Sequence, residues 1–148
     1  MIFDLLEKRK LMTFCGITLD KNTGELAIWN AGHPYPIIKA KETGTIRKPI
    51  KTCLPLGISK KRCRYTSEPE VLNPEETLFI YTDGFPEAEN DKGEEYTYDK
   101  FIDLIANTPI TTAEEFKNIL LEDFKRHHGE KELADDITFN ILRRKALP

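Results

Sequence analysis

The sequence predicts an α+β fold, and three observations carry that prediction. Short runs of strand character recur between Phe14 and Thr82, each bounded by turn residues. Two stretches of helical spacing follow, between Asp99 and Gly129. Strands first and helices later is the segregated pattern, not the alternation that builds a parallel α/β sheet.

Element by element, Ile2, Leu5 and Leu6 fall on one side of a helical projection, so residues 1–9 read as the tail of a helix. Phe14, Ile17 and Leu19 mark a first strand. Asp20-Lys21-Asn22-Thr23-Gly24 is turn chemistry, since Asn and Gly accept positive φ and Asp bonds its own backbone. A second strand runs through Leu26, Ile28 and Trp29 and closes a hairpin. Two prolines keep residues 30–36 out of a central strand. Ile37 and Ile38 resume one before a Glu42-Thr43-Gly44 turn, and Leu54–Ile58 is a tight apolar loop.

Strands are expected around Tyr65–Val71 and Thr77–Thr82, with a turn at Asn73–Glu76. A first helix has Asp99 as its N-cap and Phe101, Leu104 and Ile105 as its apolar stripe. A second opens on the capping box Thr112-Ala113-Glu114-Glu115, carries Phe116, Ile119, Leu120 and Phe124, and stops at Gly129. Ile137–Ile141 alternates with period two and reads as the last strand.

The chain has 148 residues, so one domain over 1–148 is expected. Hydrophobic residues are 39% and charged residues 32%, the balance of a soluble globular domain. No run reaches the ~18 apolar residues of a membrane helix, and no secretory signal is visible, so no membrane partner is expected. Three cysteines without CxxC spacing argue against a disulfide framework and a zinc site, and place the chain in the cytoplasm.

Net charge is −3, which argues against a nucleic-acid partner. Its distribution is uneven. Lys39 to Arg64 holds nine basic residues against one acidic, and Glu68 to Asp103 holds twelve acidic against two basic. Such blocks read either as solvated loops or as surfaces that steer a charged partner.

Two acidic sites adjoin apolar strands. Leu78-Phe79-Ile80-Tyr81-Thr82 runs into Asp83-Gly84, and Asp135-Asp136 runs into Ile137-Thr138-Phe139. Strand ends fix side chains more tightly than loops do. Paired carboxylates without Cys or paired His suit a hard cation, Mg²⁺ or Mn²⁺. Gly84 lets the backbone turn away or a ligand approach closely. On residue chemistry alone the plainer reading is an Asx turn at Asp83 and a turn cap at Asp135 or Asp136. His33, between Gly32 and Pro34, reads either as a hydrogen-bonded loop residue or as an accessory phosphate contact. His127 and His128 point about 100° apart on a helix and read as a solvated helix end.

The string of motifs Asn30-Ala31-Gly32-His33-Pro34, Pro55-Leu56-Gly57-Ile58, Tyr81-Thr82-Asp83-Gly84-Phe85-Pro86-Glu87-Ala88 and Ala134-Asp135-Asp136-Ile137-Thr138 resembles the SpoIIE-type branch of the metal-dependent protein phosphatase superfamily. The likeness runs from about Met12 to Arg143. It implies an antiparallel β-sandwich flanked by helices, with two Mn²⁺ or Mg²⁺ ions at one edge. It implies that a metal-activated hydroxide hydrolyses phosphoserine or phosphothreonine on a phosphorylated regulatory protein of the anti-sigma-factor-antagonist type, in bacterial stress-response signalling. By motif match, Asp83 and Asp135 would be metal ligands, Asp136 a further ligand or outer neighbour, and Gly84 the backbone beside the metal.

The family's first metal-binding segment, a Gly-Asp motif with a second Asp close behind, has no counterpart in this sequence. The expectation is therefore the C-terminal part of the phosphatase domain, a shortened fold whose N-terminal strands are missing. Two divalent ions bring +4, whereas Asp83, Asp135 and Asp136 supply at most −3. A sheet edge left uncovered would pair with a second copy or with the missing segment. Two rivals stay open: a non-catalytic interaction module of the same fold, and a hydrolase using one metal at Asp83 and Asp135.

Overall fold

A computed structural model describes residues 11–41, 44–49, 52–58 and 64–146. The expected N-terminal helix, most of the Glu42–Gly44 turn and the basic run 60–63 lie outside the described residues. The chain divides into two compact units, Met1–Tyr35 with Lys48–Asn73, and Pro36–Arg47 with Pro74–Pro148. The secondary structure is α+β, and every strand pairing within its two sheets is antiparallel.

The first unit is a three-stranded sheet. Strand β1 (Phe14–Leu19) pairs with β2 (Glu25–Ala31), which pairs with β5 (Glu68–Val71). The hairpin turn forms as its residues dictate. Asp20 Oδ1 accepts the amides of Asn22 at 2.8 Å and Thr23 at 3.1 Å, and Gly24 supplies a φ of +83°. Leu26, Ile28, Ala31 and Leu72 are buried, whereas Trp29 is only half-buried. Cys15 is a free, half-buried thiol whose pKa burial pushes up. Cys53 is disulfide-bonded, a single bridge where the sequence argues against a disulfide framework. An odd cysteine count leaves room for one bridge and one thiol.

The second unit holds a four-stranded sheet in the order β4 (Ile46–Arg47), β3 (Ile37–Lys39), β6 (Thr77–Tyr81), β7 (Phe139–Arg143). Two helices, α1 (Tyr98–Asn107) and α2 (Ala113–His128), belong to the same unit. Its core is one cluster built from Ile37, Phe79, Tyr81 and Phe85 with Phe101, Ile105, Phe116, Leu120 and Phe124 of the helices. Phe79 meets Phe116 edge-on at 5.0 Å, and Tyr81 meets Phe101 at 4.7 Å, geometries that aromatic quadrupoles favour.

Several elements differ from expectation. The central strand β2 runs on through Asn30 and Ala31, two residues expected outside a central strand, because the prolines stand only at 34 and 36. Strand β5 starts at Glu68 rather than Tyr65, and β6 ends at Tyr81. Helix α1 starts at Tyr98, because the Thr97 hydroxyl accepts the Lys100 amide and takes the cap from Asp99. Strand β7 starts at Phe139, because the Thr138 amide turns to the Thr82 hydroxyl although its carbonyl still accepts the Thr82 amide, as described below. The short strand β4 has no periodicity long enough to be visible in sequence. Helix α2 keeps its expected limits: Thr112 Oγ1 accepts the Glu115 amide at 3.1 Å, and Gly129 ends the helix at φ +71°. Among the described residues no helix is long and apolar enough to cross a membrane.

Candidate functional site

The two acidic sites are brought to one end of a strand pair by register. Tyr81 of β6 faces Phe139 of β7 in an antiparallel ladder. Residues leaving β6 and residues entering β7 must then share that end. Beyond the ladder, Thr82 fastens them. Its amide donates to the Thr138 carbonyl at 2.9 Å. Its hydroxyl accepts the Thr138 amide at 3.0 Å and donates to the Asp136 carbonyl at 3.2 Å.

Gly84 lies against the same carbonyl. A Cβ at this position would stand 2.6 Å from Asp136 O, closer than atoms tolerate. The glycine is needed for space, as φ at this residue is not positive. Phe85 then drives into the core, with ring centroids 5.1 Å from Tyr96 and 4.8 Å from both Phe101 and Phe124. Asp83 therefore sits between a hydroxyl clamp and an aromatic anchor. Its carbonyl accepts the Glu87 amide at 3.0 Å, which closes the turn.

The Asp135 carboxylate accepts the Asp136 amide at 2.8 Å. Asp135 and Asp136 are both exposed, and Asp83 is half-buried. Among the described residues no three His, Cys, Asp or Glu side chains stand together as a metal-holding group. These adjacent turns offer hard oxygen donors of the kind that hold a largely hydrated Mg²⁺ or Mn²⁺ through one or two carboxylates. Among the described residues they do not by themselves supply the ligand set of a two-ion clamp.

Neighbours of Asp83 that sequence reasoning passed over complete the surroundings. The Tyr98 hydroxyl donates to Glu87 at 3.2 Å. Burial first, then the Glu87 carboxylate and its hydrogen bond, then the Asp83 charge push the Tyr98 phenol above its ordinary pKa. Thr97, just before it, holds a φ of +77°, a strain of about 1–3 kcal/mol for a residue with a Cβ. Neither residue belongs to a chemistry-bearing spacing, so only the folded chain could single them out.

His33 lies in the first unit. Its amide donates to Asn30 Oδ1 and its carbonyl accepts Asn30 Nδ2, both at 2.9 Å, while Thr13 Oγ1 lies 3.3 Å from Nδ1. His128 corrects the expectation of a solvated helix end. It is buried, stacked on Phe124, with Nδ1 2.9 Å from the Glu89 carbonyl and Nε2 2.8 Å from the Lys131 carbonyl. A helix end that packs under two loops finds backbone acceptors in place of water.

An α+β chain whose aspartate turns close one end of an antiparallel pair has the architecture of PP2C-type phosphatase domains. The SiaA-PP2C domain of Pseudomonas aeruginosa superposes with a TM-score of 0.70 at 21% identity, over 84% of this chain and 48% of that one. The manganese-presoaked phosphatase domain of the cell fate determinant SpoIIE from Bacillus subtilis gives 0.70 at 15% identity, over 92% and 58%. The RsbU and RsbW domains of a Mycobacterium tuberculosis protein give 0.64 at 27% identity, over 92% and 37%. The chain thus spans only part of the solved proteins it resembles.

The chain belongs to the stage II sporulation protein E (SpoIIE) family, whose model matches residues 1–145. A comparison with curated proteins found no match.

Proposed function

We propose that this chain is the C-terminal part of a single protein serine/threonine phosphatase domain, acting in the cytoplasm on phosphorylated regulatory proteins of the anti-sigma-factor-antagonist type. The observation that carries the reading is the stitching of the two aspartate turns by the Thr82 hydroxyl, with Gly84 against the Asp136 carbonyl. Asp83 and Asp135 would hold Mn²⁺ or Mg²⁺, with Asp136 as a third carboxylate and the Gly84 backbone alongside. When bound, the ion supplies an activated water and neutralises charge on the phosphoryl group. The chain's own residues position its ligands: Thr82 sets the distance between the turns, and Phe85 fixes the Asp83 turn to the core.

A non-catalytic interaction module is the second reading. It is favoured by the lack of a three-ligand metal group among the described residues. Hydrolysis of p-nitrophenyl phosphate with Mn²⁺ separates the two. The phosphatase reading expects Mn²⁺-dependent turnover that falls to background in Asp83→Asn and in Asp135→Asn. No turnover together with no Mn²⁺ binding by calorimetry would select the module.

A further inference from the structure

A cleft of about 200 Å³ opens beside the Asp83 turn, within the second unit. One wall is Gly84 with the run from Glu87 to Glu89, and the other is the segment from Lys131 to Asp135. The cleft is smaller than the ~300–1,000 Å³ of typical small-molecule sites, so it suits one side chain rather than a cofactor. Its walls are tied together. Buried His128 stands between them, with one ring nitrogen at the Glu89 carbonyl and the other at the Lys131 carbonyl. The Lys131 ammonium pairs with Glu89 across the cleft at 2.9 Å.

The lining has two parts. Ala88, Leu133 and Ala134 give an apolar surface, and Leu133 is 47% exposed. Around it stand carboxylates, and the cleft's lysine is already engaged by Glu89. Glu87 receives only the neutral Tyr98 hydroxyl, and Glu132 takes part in no ion pair among the described residues. An apolar strip ending in unpaired carboxylates matches a long cationic side chain, whose methylenes lie on the strip while its head meets the charge. A guanidinium matches better than an ammonium, because its planar fork bonds carboxylates two at a time. A metal ion fits poorly, since no three ligating side chains gather there.

We propose that this cleft is a subsite for an arginine side chain of the phosphorylated partner, lying close to the residue that enters the Asp83–Asp135 end. The partner's identity rests on the phosphatase reading; the cleft's preference for a guanidinium does not. It also gives a use to the acidic stretch from Glu68 to Asp103, to which Glu87 and Glu89 belong.

The test is a titration of the ¹⁵N-labelled full chain, without metal, with N-acetyl-arginine amide and with its neutral isostere N-acetyl-citrulline amide. The arginine probe should shift the amides of Ala88, Leu133 and Ala134 saturably, and the citrulline probe should leave them in place. Glu87→Gln and Glu132→Gln should each weaken the arginine probe by about two- to fivefold, the range of an exposed ion pair. No saturable shift, an equal response to citrulline, or indifference to both substitutions would overturn the proposal. Arginine binding by a chain that never hydrolyses p-nitrophenyl phosphate would keep the cleft and remove the phosphatase.

Discussion

Thr82 and Gly84 show how single atoms decide the geometry of this site. The sequence motif makes Asp83 the residue of interest, yet what places it is the hydroxyl one residue earlier. Thr82→Val keeps the shape and removes the hydroxyl's hydrogen bonds, leaving the Asp136 carbonyl and the Thr138 amide without that partner. Residues that orient metal ligands commonly account for about 10–100-fold in metal affinity or activity. The expectation is a loss of that order in apparent Mn²⁺ affinity for Thr82→Val, with Thr82→Ser close to the parent because it keeps the oxygen. Equal affinities in all three proteins, measured by calorimetry, would show that the clamp only holds the fold. Gly84 was legible as a glycine with a purpose, and the structure adds one the sequence does not show: the Asp136 carbonyl occupies the space a side chain would need. Phe85 was not legible at all, since an aromatic residue after Asp-Gly looks like any other until three rings close around it.

Among the elements, those with their own local code were readable. The Asp20–Gly24 turn and the Thr112–Gly129 helix each carry capping or turn residues whose bonds the structure reproduces. Elements fixed by distant partners were not. Strand β7 yields its first expected residues to Thr82, which lies 56 residues away from Thr138. Lys39 is a second case. Read in sequence it belongs to a solvated basic block, yet it is buried, and its ammonium donates to the carbonyls of Ile105 at 2.6 Å and of Thr108. It closes the C-terminal end of α1, where the helix leaves carbonyls unpaired and negative. Lys39→Met would preserve the stem and strand two acceptors. A stability loss of roughly 2–3 kcal/mol is expected, within the range for unsatisfied buried polar groups and lost charged hydrogen bonds. Urea unfolding would read it, and an unchanged midpoint would show that water replaces the ammonium there.

At the scale of the whole molecule, apolar exposure is unevenly divided. Among the described residues, the first unit buries Leu26, Ile28, Ala31 and Leu72, while Leu11, Met12, Phe14, Leu54, Ile58 and Val71 stand exposed in the same unit. The second unit buries the aromatic cluster and exposes few large apolar residues. Strand β1 sits at the end of the β1-β2-β5 sheet with β2 as its one strand partner among the described residues, and Phe14 on it is 47% exposed. A free strand edge with apolar side chains is a template for pairing with another chain. Association of this chain at tens of micromolar is therefore expected, with light scattering giving a mass above the 17.1 kDa of one chain that falls on dilution. Phe14→Lys should push the equilibrium toward single chains, because a charge on an edge strand opposes strand addition. A mass fixed at one chain across the concentration range would mean that the exposed edge is too short, or too twisted, to recruit a partner of its own kind.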